Sequence, residues 1–187
     1  MKRNAVAFLI AAALPFAAQA ESYTIDPAHT YPNFSISHLG FSTMHGRFDK
    51  TSGKITLDRA AKSGSVDISI ETVSVSTGFA KRDDHLRSPD FFNAAEFPAI
   101  TYKSSSVKFK GDAPASVEGT LTMNGVSKPL TLNIDAFKCG VHPMSKKDVC
   151  GANATAEFKR SDFGIKYGLP GVGDDIKLVL EVEASKD

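Results

Sequence analysis

From Tyr23 to Ala184 apolar and polar positions alternate with a period of two. Phe34, Ile36 and His38 alternate with Asn33, Ser35 and Ser37, and Val66, Ile68 and Ile70 with Ser65, Asp67 and Ser69. Leu130, Leu132, Ile134 and Ala136 alternate with Thr131, Asn133 and Asp135. Leu121 and Met123, the alanines 152, 154 and 156 with Phe158, and Ile176, Leu178, Leu180 and Val182 repeat the scheme. Each stretch puts one apolar face inward, the pattern of a half-buried strand, and about eight such strands are expected. Turn signals separate them at Gly40, Ser52-Gly53, Ser63-Gly64, Gly111-Asp112, Gly140 and the glycine-rich run from Gly164 to Gly173. Asn124-Gly125 is the clearest hairpin, because both residues tolerate the positive φ that a two-residue turn demands. No stretch has a helical period long enough for a βαβ crossover, so the sheet is expected to be antiparallel.

The segment Lys81 to Pro98 (KRDDHLRSPDFFNAAEFP) breaks the alternation. Thr77 is placed to cap a short helix in which Asp83 and Arg87 lie one turn apart, and Ser88-Pro89 starts a second turn. Phe79, Leu86, Phe91, Phe92 and Phe97 offer more aromatic and aliphatic surface than two short turns hide on themselves. The block is therefore either a plug pinned by Arg82, Asp83, Asp84 and Arg87, or a gate over an apolar cavity. A one-faced sheet buries that face by closing on itself or by packing on a second sheet, and a helical cover at one end favours closure. Ala152, Ala154 and Ala156 are small for a filled core: they either receive the many phenylalanines or leave space.

Lys2 and Arg3, the apolar run Ala5 to Ala13 and Ala18-Gln19-Ala20 match a secretory leader over residues 1–20, leaving one domain over 21–187. Removing Lys2 and Arg3 from the 22 basic residues leaves one fewer than the 21 acidic ones. With no basic stripe, nucleic acid is not an expected partner. Cys139 and Cys150 are the only cysteines, and export makes a disulfide between them the expected state.

Candidate catalytic chemistry is sparse. The five histidines, at 29, 38, 45, 85 and 142, form no H-x-x-x-H or H-x-H pair and have no cysteine or glutamate in ligand spacing, so no metal site is expected. There is no G-x-S-x-G elbow, and the glycines 164 to 173 precede a strand without a phosphate-loop lysine. Asp174-Asp175 lacks the alternating oxygen donors of a calcium loop. No cofactor is expected. His38 reads as a half-buried imidazole near a strand end, and His85 as a partner of Asp83, Asp84 or a backbone carbonyl.

Several motifs in order cover nearly the whole chain after the leader: Asp26-Pro27-Ala28-His29, Phe34 to Gly40, Gly46-Arg47-Phe48, Arg82 to Ser88 with Asp90-Phe91-Phe92, Pro98, Gly119 to Val126 with Lys128-Pro129, and Asp162-Phe163-Gly164. Together they resemble the YceI-like family. The resemblance implies an all-β, extended lipocalin-like antiparallel barrel with a short helical cap, located in the periplasm. It implies an apolar cavity holding a polyisoprenoid or similar amphiphile, and no catalytic residues. By inward parity and family position the lining is expected to include Phe34, Ile36, Phe41, Ile68, Leu86, Phe91, Phe92 and Leu121. His38 and His85 fall within the motifs and are expected at the mouth, near a polar head group. An enzyme acting on such a lipid, or a stress-related module with a filled core, are the alternative readings. Transient membrane contact and pairing of two copies are both compatible with the carrier reading.

Overall fold

The computed structural model describes residues 20–187, so the leader expected over residues 1–20 lies outside the described residues apart from Ala20. Eleven strands form one antiparallel sheet: β1 (Glu21–Ile25), β2 (Tyr31–His38), β3 (Ser42–Phe48), β4 (Thr51–Asp58), β5 (Ser63–Glu71), β6 (Val75–Ser76), β7 (Ala99–Lys110), β8 (Ala113–Met123), β9 (Val126–Val141), β10 (Asp148–Lys159) and β11 (Asp175–Lys186). Eight of them, in the order β1-β4-β5-β7-β8-β9-β10-β11, close into a barrel when β11 pairs with β1 through Tyr23↔Lys186 and Ile25↔Ala184. The excess over the expected eight comes from β2, β3 and β6. β2 takes over from β1 along the same edge of β11, pairing Tyr31 to Ser35 with Glu181 to Lys177, and β3 and β6 follow outside it. Closure leaves the ring without free edges.

The one α-helix among the described residues, α1 (Ala80–Arg87), is the next element after β6. Continuing strand pairing is replaced there by α1 and the turns up to Pro98, whose carbonyl accepts the Thr72 N–H at 2.9 Å. Asn124 and Gly125 have φ of 51° and 75°, the tight turn read from the sequence, and it brings Met123 opposite Val126. A Cβ on Gly125 would lie 2.7 Å from the Phe97 ring, so this glycine also admits the end of the helical block.

The alternation holds along most strands and breaks at three register shifts, one in the β9–β10 pair and two in the β7–β8 pair, at Ser104/Ser106 and at Lys108/Phe109. In β9 the register to β10 shifts between Ala154↔Ile134 and Asn153↔Ala136, leaving Asp135 as the extra residue. Ala136, expected inward, is consequently exposed and Phe137 takes the inward place, because one inserted residue reverses parity downstream. β7 shifts likewise between Ser104 and Ser106, so Ile100 and Tyr102 face inward before the bulge and Val107 after it.

The outer face is polar. Asp67 pairs with Lys103 across β5 and β7 at 3.2 Å, and Glu157 with Lys177 across β10 and β11 at 3.7 Å. Charges in mid-wall suit a barrel standing in water, since a lipid-facing wall penalises them. No helix among the described residues is long and apolar enough to cross a membrane.

Candidate functional site

The interior is divided between a large apolar cluster and a smaller one, with space between. The larger includes Phe48, Val75, Ile100, Tyr102, Leu121 and Phe163, against which Phe34, Leu86, Phe91 and Phe92 of the helical side pack. The smaller, Tyr23, Ile25, Leu57 and Ala184 with Phe109 and Phe137, closes the far end. There the Tyr23 hydroxyl donates to Glu21 Oε2 at 2.6 Å, and burial together with that carboxylate pushes the phenol up to about 12. The cavity measures about 450 Å³ and is walled almost entirely by carbon. Its volume is that of a small-molecule site, commonly about 300–1,000 Å³.

The space has a sequence origin. Ala152 and Ala154 of β10 both face the cavity, opposite Phe137 and Ile134 of β9. Ala156, next in phase, is buried in the larger cluster, so compensation by large neighbours is complete there and incomplete one turn of the pleat away. Tyr102 lies along the wall over Gly119 of the neighbouring β8, where a Cβ would come within 2.6 Å of its ring, and its hydroxyl is shared between the Val117 and Leu130 carbonyls, each at 3.0 Å. Burial pushes this phenol up to about 12 as well.

Of the residues expected at the site, Phe34, Ile36, His38, Ile68, His85, Leu86, Phe91, Phe92 and Leu121 all line the cavity. Phe41 does not. It is 89% exposed, because Leu39 and Gly40 take φ of 53° and 73° and Phe41 follows them on the outside of the β2–β3 hairpin. Parity carried through a tight turn does not preserve the facing of a side chain.

The helical block is held differently from its expected scheme. Phe79, not Thr77, is the N-cap, and its side chain caps nothing. Thr77 instead donates both its backbone N–H and its hydroxyl to Asp83 Oδ1. Arg82 donates to the Thr77 hydroxyl at 2.7 Å and carbonyl at 2.9 Å, and reaches Met44 Sδ of β3. Arg87 pairs with Asp84 rather than Asp83, at 2.9 Å, and ties the helix to the Val73 and Val75 carbonyls. The pairing changes because Asp83 is turned inward, only 8% exposed, and is already satisfied.

His85 also finds another partner: its Nε2 lies 2.8 Å from Asp90 Oδ2, in the turn begun by Ser88. The imidazole stands edge-on to Phe91 at 5.0 Å and to Tyr167 at 5.1 Å, and those two rings are 5.4 Å apart. His85 and Tyr167 both line the cavity and reach solvent, which marks the mouth.

Sequence reasoning missed Arg160. It is 3% exposed, lines the cavity, and donates to the Gly173, Val172 and Ile165 carbonyls at 2.7, 2.9 and 3.2 Å. These bonds fasten the glycine-rich rim loop, which contains the cis peptide Leu169-Pro170. Burial lowers the guanidinium below its ordinary value, opposed by the nearby Asp174. The only available signal was an arginine in strand phase beside a glycine run. A second grouping was also invisible in the spacing: Asp26, His29 and Glu183 bring donor atoms within 4.8 Å of one another. Asp26 and His29 are already hydrogen-bonded to each other at 2.8 Å, the geometry of a surface ion pair.

Cys139 and Cys150 are directly opposed on β9 and β10 and joined by a disulfide, with Cα atoms 4.0 Å apart.

Comparison with known proteins agrees with this architecture. The YceI-like domain family matches residues 23–184. A "UPF0312 protein" of Shewanella denitrificans is 41% identical, over the full length of both chains. Among solved structures, Burkholderia cenocepacia BcnA superposes with a TM-score of 0.72 at 21% identity, covering 85% of this chain and 98% of that one. A polyisoprenoid binding domain from Saccharophagus degradans superposes at 0.67 with 17% identity, covering 89% and 99%.

Proposed function

The chain belongs to the YceI-like family, and we propose that it is an exported carrier which holds the tail of a polyisoprenoid or similar long amphiphile inside the barrel. The observation that carries this reading is the cavity of about 450 Å³ with its almost wholly apolar wall. Such a wall needs no catalytic group to bind. Burial of one five-carbon isoprene unit contributes roughly 4 kcal/mol gross, at about 0.8 kcal/mol per methylene, before the costs of association. A few stacked units therefore suffice for tight retention.

Orientation follows from polarity. The far end is closed by the Tyr23 cluster, whereas the polar side chains His38, Arg82, His85 and Tyr167 gather at the helical end. The tail enters first, and the head group rests among these residues, with Leu86, Phe91 and Phe92 as aromatic and aliphatic wall. Plug and gate are then one element. The polyisoprenoid-binding name of a structural relative supports the ligand class. The leader over residues 1–20 and the disulfide support export to the periplasm of a single domain over 21–187.

Mass spectrometry of an organic extract from the purified protein tests the proposal. A stoichiometric prenyl lipid is the expected result. Turnover of that lipid would make the protein an enzyme, and an empty extract from fully folded protein would overturn the carrier reading in favour of a module of another role.

A further inference from the structure

We infer that the mouth of the barrel is a membrane-docking surface, which inserts Leu39, Phe41 and Phe79 into the interface of an anionic bilayer while Lys81 and Lys166 meet its head groups. The inference rests on the carrier reading for its purpose and on different residues for its evidence. Leu39, Phe41 and Phe79 are 55%, 89% and 56% exposed, and none of them lines the cavity. Large apolar side chains grouped in water mark an interaction site.

Their grouping follows from contacts around the mouth. The Leu39 N–H donates to the Gly171 carbonyl at 2.7 Å, and His38 forms a bridge with Val172, so the β2–β3 hairpin tip is bound to the rim loop. Phe41 is held in the same tip by its N–H to the His38 carbonyl at 3.0 Å. Tyr167, in the rim loop, packs edge-on against His85 of α1, and Arg82 of α1 lies 5.8 Å from the Phe79 ring and touches Met44 of β3. His38, Arg82, His85, Tyr167 and Val172 all line the cavity. The exposed apolar residues therefore ring the entrance.

Charge chooses the occupant. Lys81 of α1 and Lys166 of the rim loop are exposed and form no ion pair among the described residues. On the same helical block Asp84 is engaged by Arg87, Asp90 by His85 and Asp83 by Thr77. Exposed aromatic rings beside unpaired lysines suit an anionic lipid interface. Docking in this orientation lets a tail pass from bilayer to cavity without crossing water.

The chain contains no tryptophan, so Phe41→Trp creates a single reporter. Added to vesicles of phosphatidylethanolamine and phosphatidylglycerol, the full mature protein is expected to float with them and the reporter emission to shift blue. Phe41→Ser with Phe79→Ser should lower the vesicle-bound fraction roughly tenfold or more, as should Phe41→Ser alone in lesser degree. Lys81→Glu with Lys166→Glu should lower it about tenfold on anionic vesicles and leave binding to phosphatidylcholine vesicles unchanged. Uptake of farnesol from solution should stay within about twofold in every variant, because these side chains lie off the cavity wall. Absence of flotation and of the blue shift, with normal farnesol uptake, overturns the docking surface. A blue shift that grows with protein concentration and needs no vesicles overturns it in favour of a second copy. Vesicle binding without farnesol uptake supports docking and removes the carrier reading instead.

Discussion

Thr77 and Asp83 hold the start of the helical block through one carboxylate oxygen, which accepts both the backbone N–H and the hydroxyl of Thr77. The carboxylate is buried, and Arg82 fixes the same threonine from its other side. A buried acceptor of two hydrogen bonds leaves two donors stranded when it is removed. Asp83→Ala is therefore expected to cost about 3 kcal/mol, at the level of lost charge-assisted bonds. Because Leu86 and His85 on the next turn line the cavity, the same change should speed release of a bound prenyl probe. Urea unfolding and stopped-flow displacement read the two effects. A normal unfolding midpoint with unchanged release would show that the block is held by its apolar contacts alone.

Ala154 and Phe92 lie on the wall of the same cavity, and their substitution should weaken binding in both cases but affect stability differently. Ala154→Leu adds carbon where space exists, so it should displace ligand while leaving stability equal or higher. Phe92→Ala removes a ring that packs edge-on against Phe48 at 5.4 Å, which should weaken both binding and folding. A loss of about 3 kcal/mol is expected for truncating a phenylalanine in such a cluster. Thermal unfolding with and without ligand separates the cases: Ala154→Leu should lose the ligand-induced rise in Tm yet keep the melting point of the free protein.

The facing of the wall residues is only partly legible in the sequence. Period-two alternation correctly orients Phe34, Ile36, Ile68 and Leu121, because each lies in a stretch of ladder without a register shift. It fails at Ala136, where the extra Asp135 reverses parity, and at Phe41, where a tight turn resets it. Neither bulge nor turn facing has a period to read. Local charge patterns mislead for a related reason: Asp83 and Arg87 stand one turn apart, yet burial gives Asp83 to Thr77 and leaves Arg87 to Asp84. Asp26, His29 and Glu183 meet only because β11 passes beside the turn between β1 and β2. The separation of Glu183 from the other two by over 150 residues hides the grouping from any spacing rule.

The disulfide offers a test that is independent of the cavity's helical end. Cys139 and Cys150 face each other near the tip of the β9–β10 hairpin, with a sequence separation of 11. Closing a ring of that size contributes roughly 3 kcal/mol in the chain-entropy picture. Cys139→Ala with Cys150→Ala should accordingly lower stability by about that amount, while the ladder on either side preserves the fold. Oxidised, denatured wild-type protein should show no titratable thiol, and reduction should bring its melting point down to that of the double variant. Equal melting points for oxidised and reduced wild type would mean that the bridge adds no stability.

The Asp26–His29 pair makes a prediction about pH whose sign is fixed by both partners. The hydrogen bond and charge of Asp26 raise the His29 imidazole above 6.5, so its share of stability is complete below 6.5 and is lost as pH climbs through the raised value. Asp26 is lowered below 3.8, first by His29 and then by the Ala28 backbone N–H. Its share is present above 3.8 and disappears as pH falls through the lowered value. The pair is thus most effective at mildly acidic pH. Followed by NMR, the His29 midpoint should drop to about its ordinary value in Asp26→Asn, because the carboxylate supplies the leading causes of the shift. The reciprocal change is not symmetrical: in His29→Ala the Asp26 carboxylate should rise only part of the way to 3.8, since Ala28 still donates to its Oδ1 at 2.9 Å. An Asp26 midpoint that returns fully to 3.8 in His29→Ala would assign the whole shift to the imidazole and none to the turn.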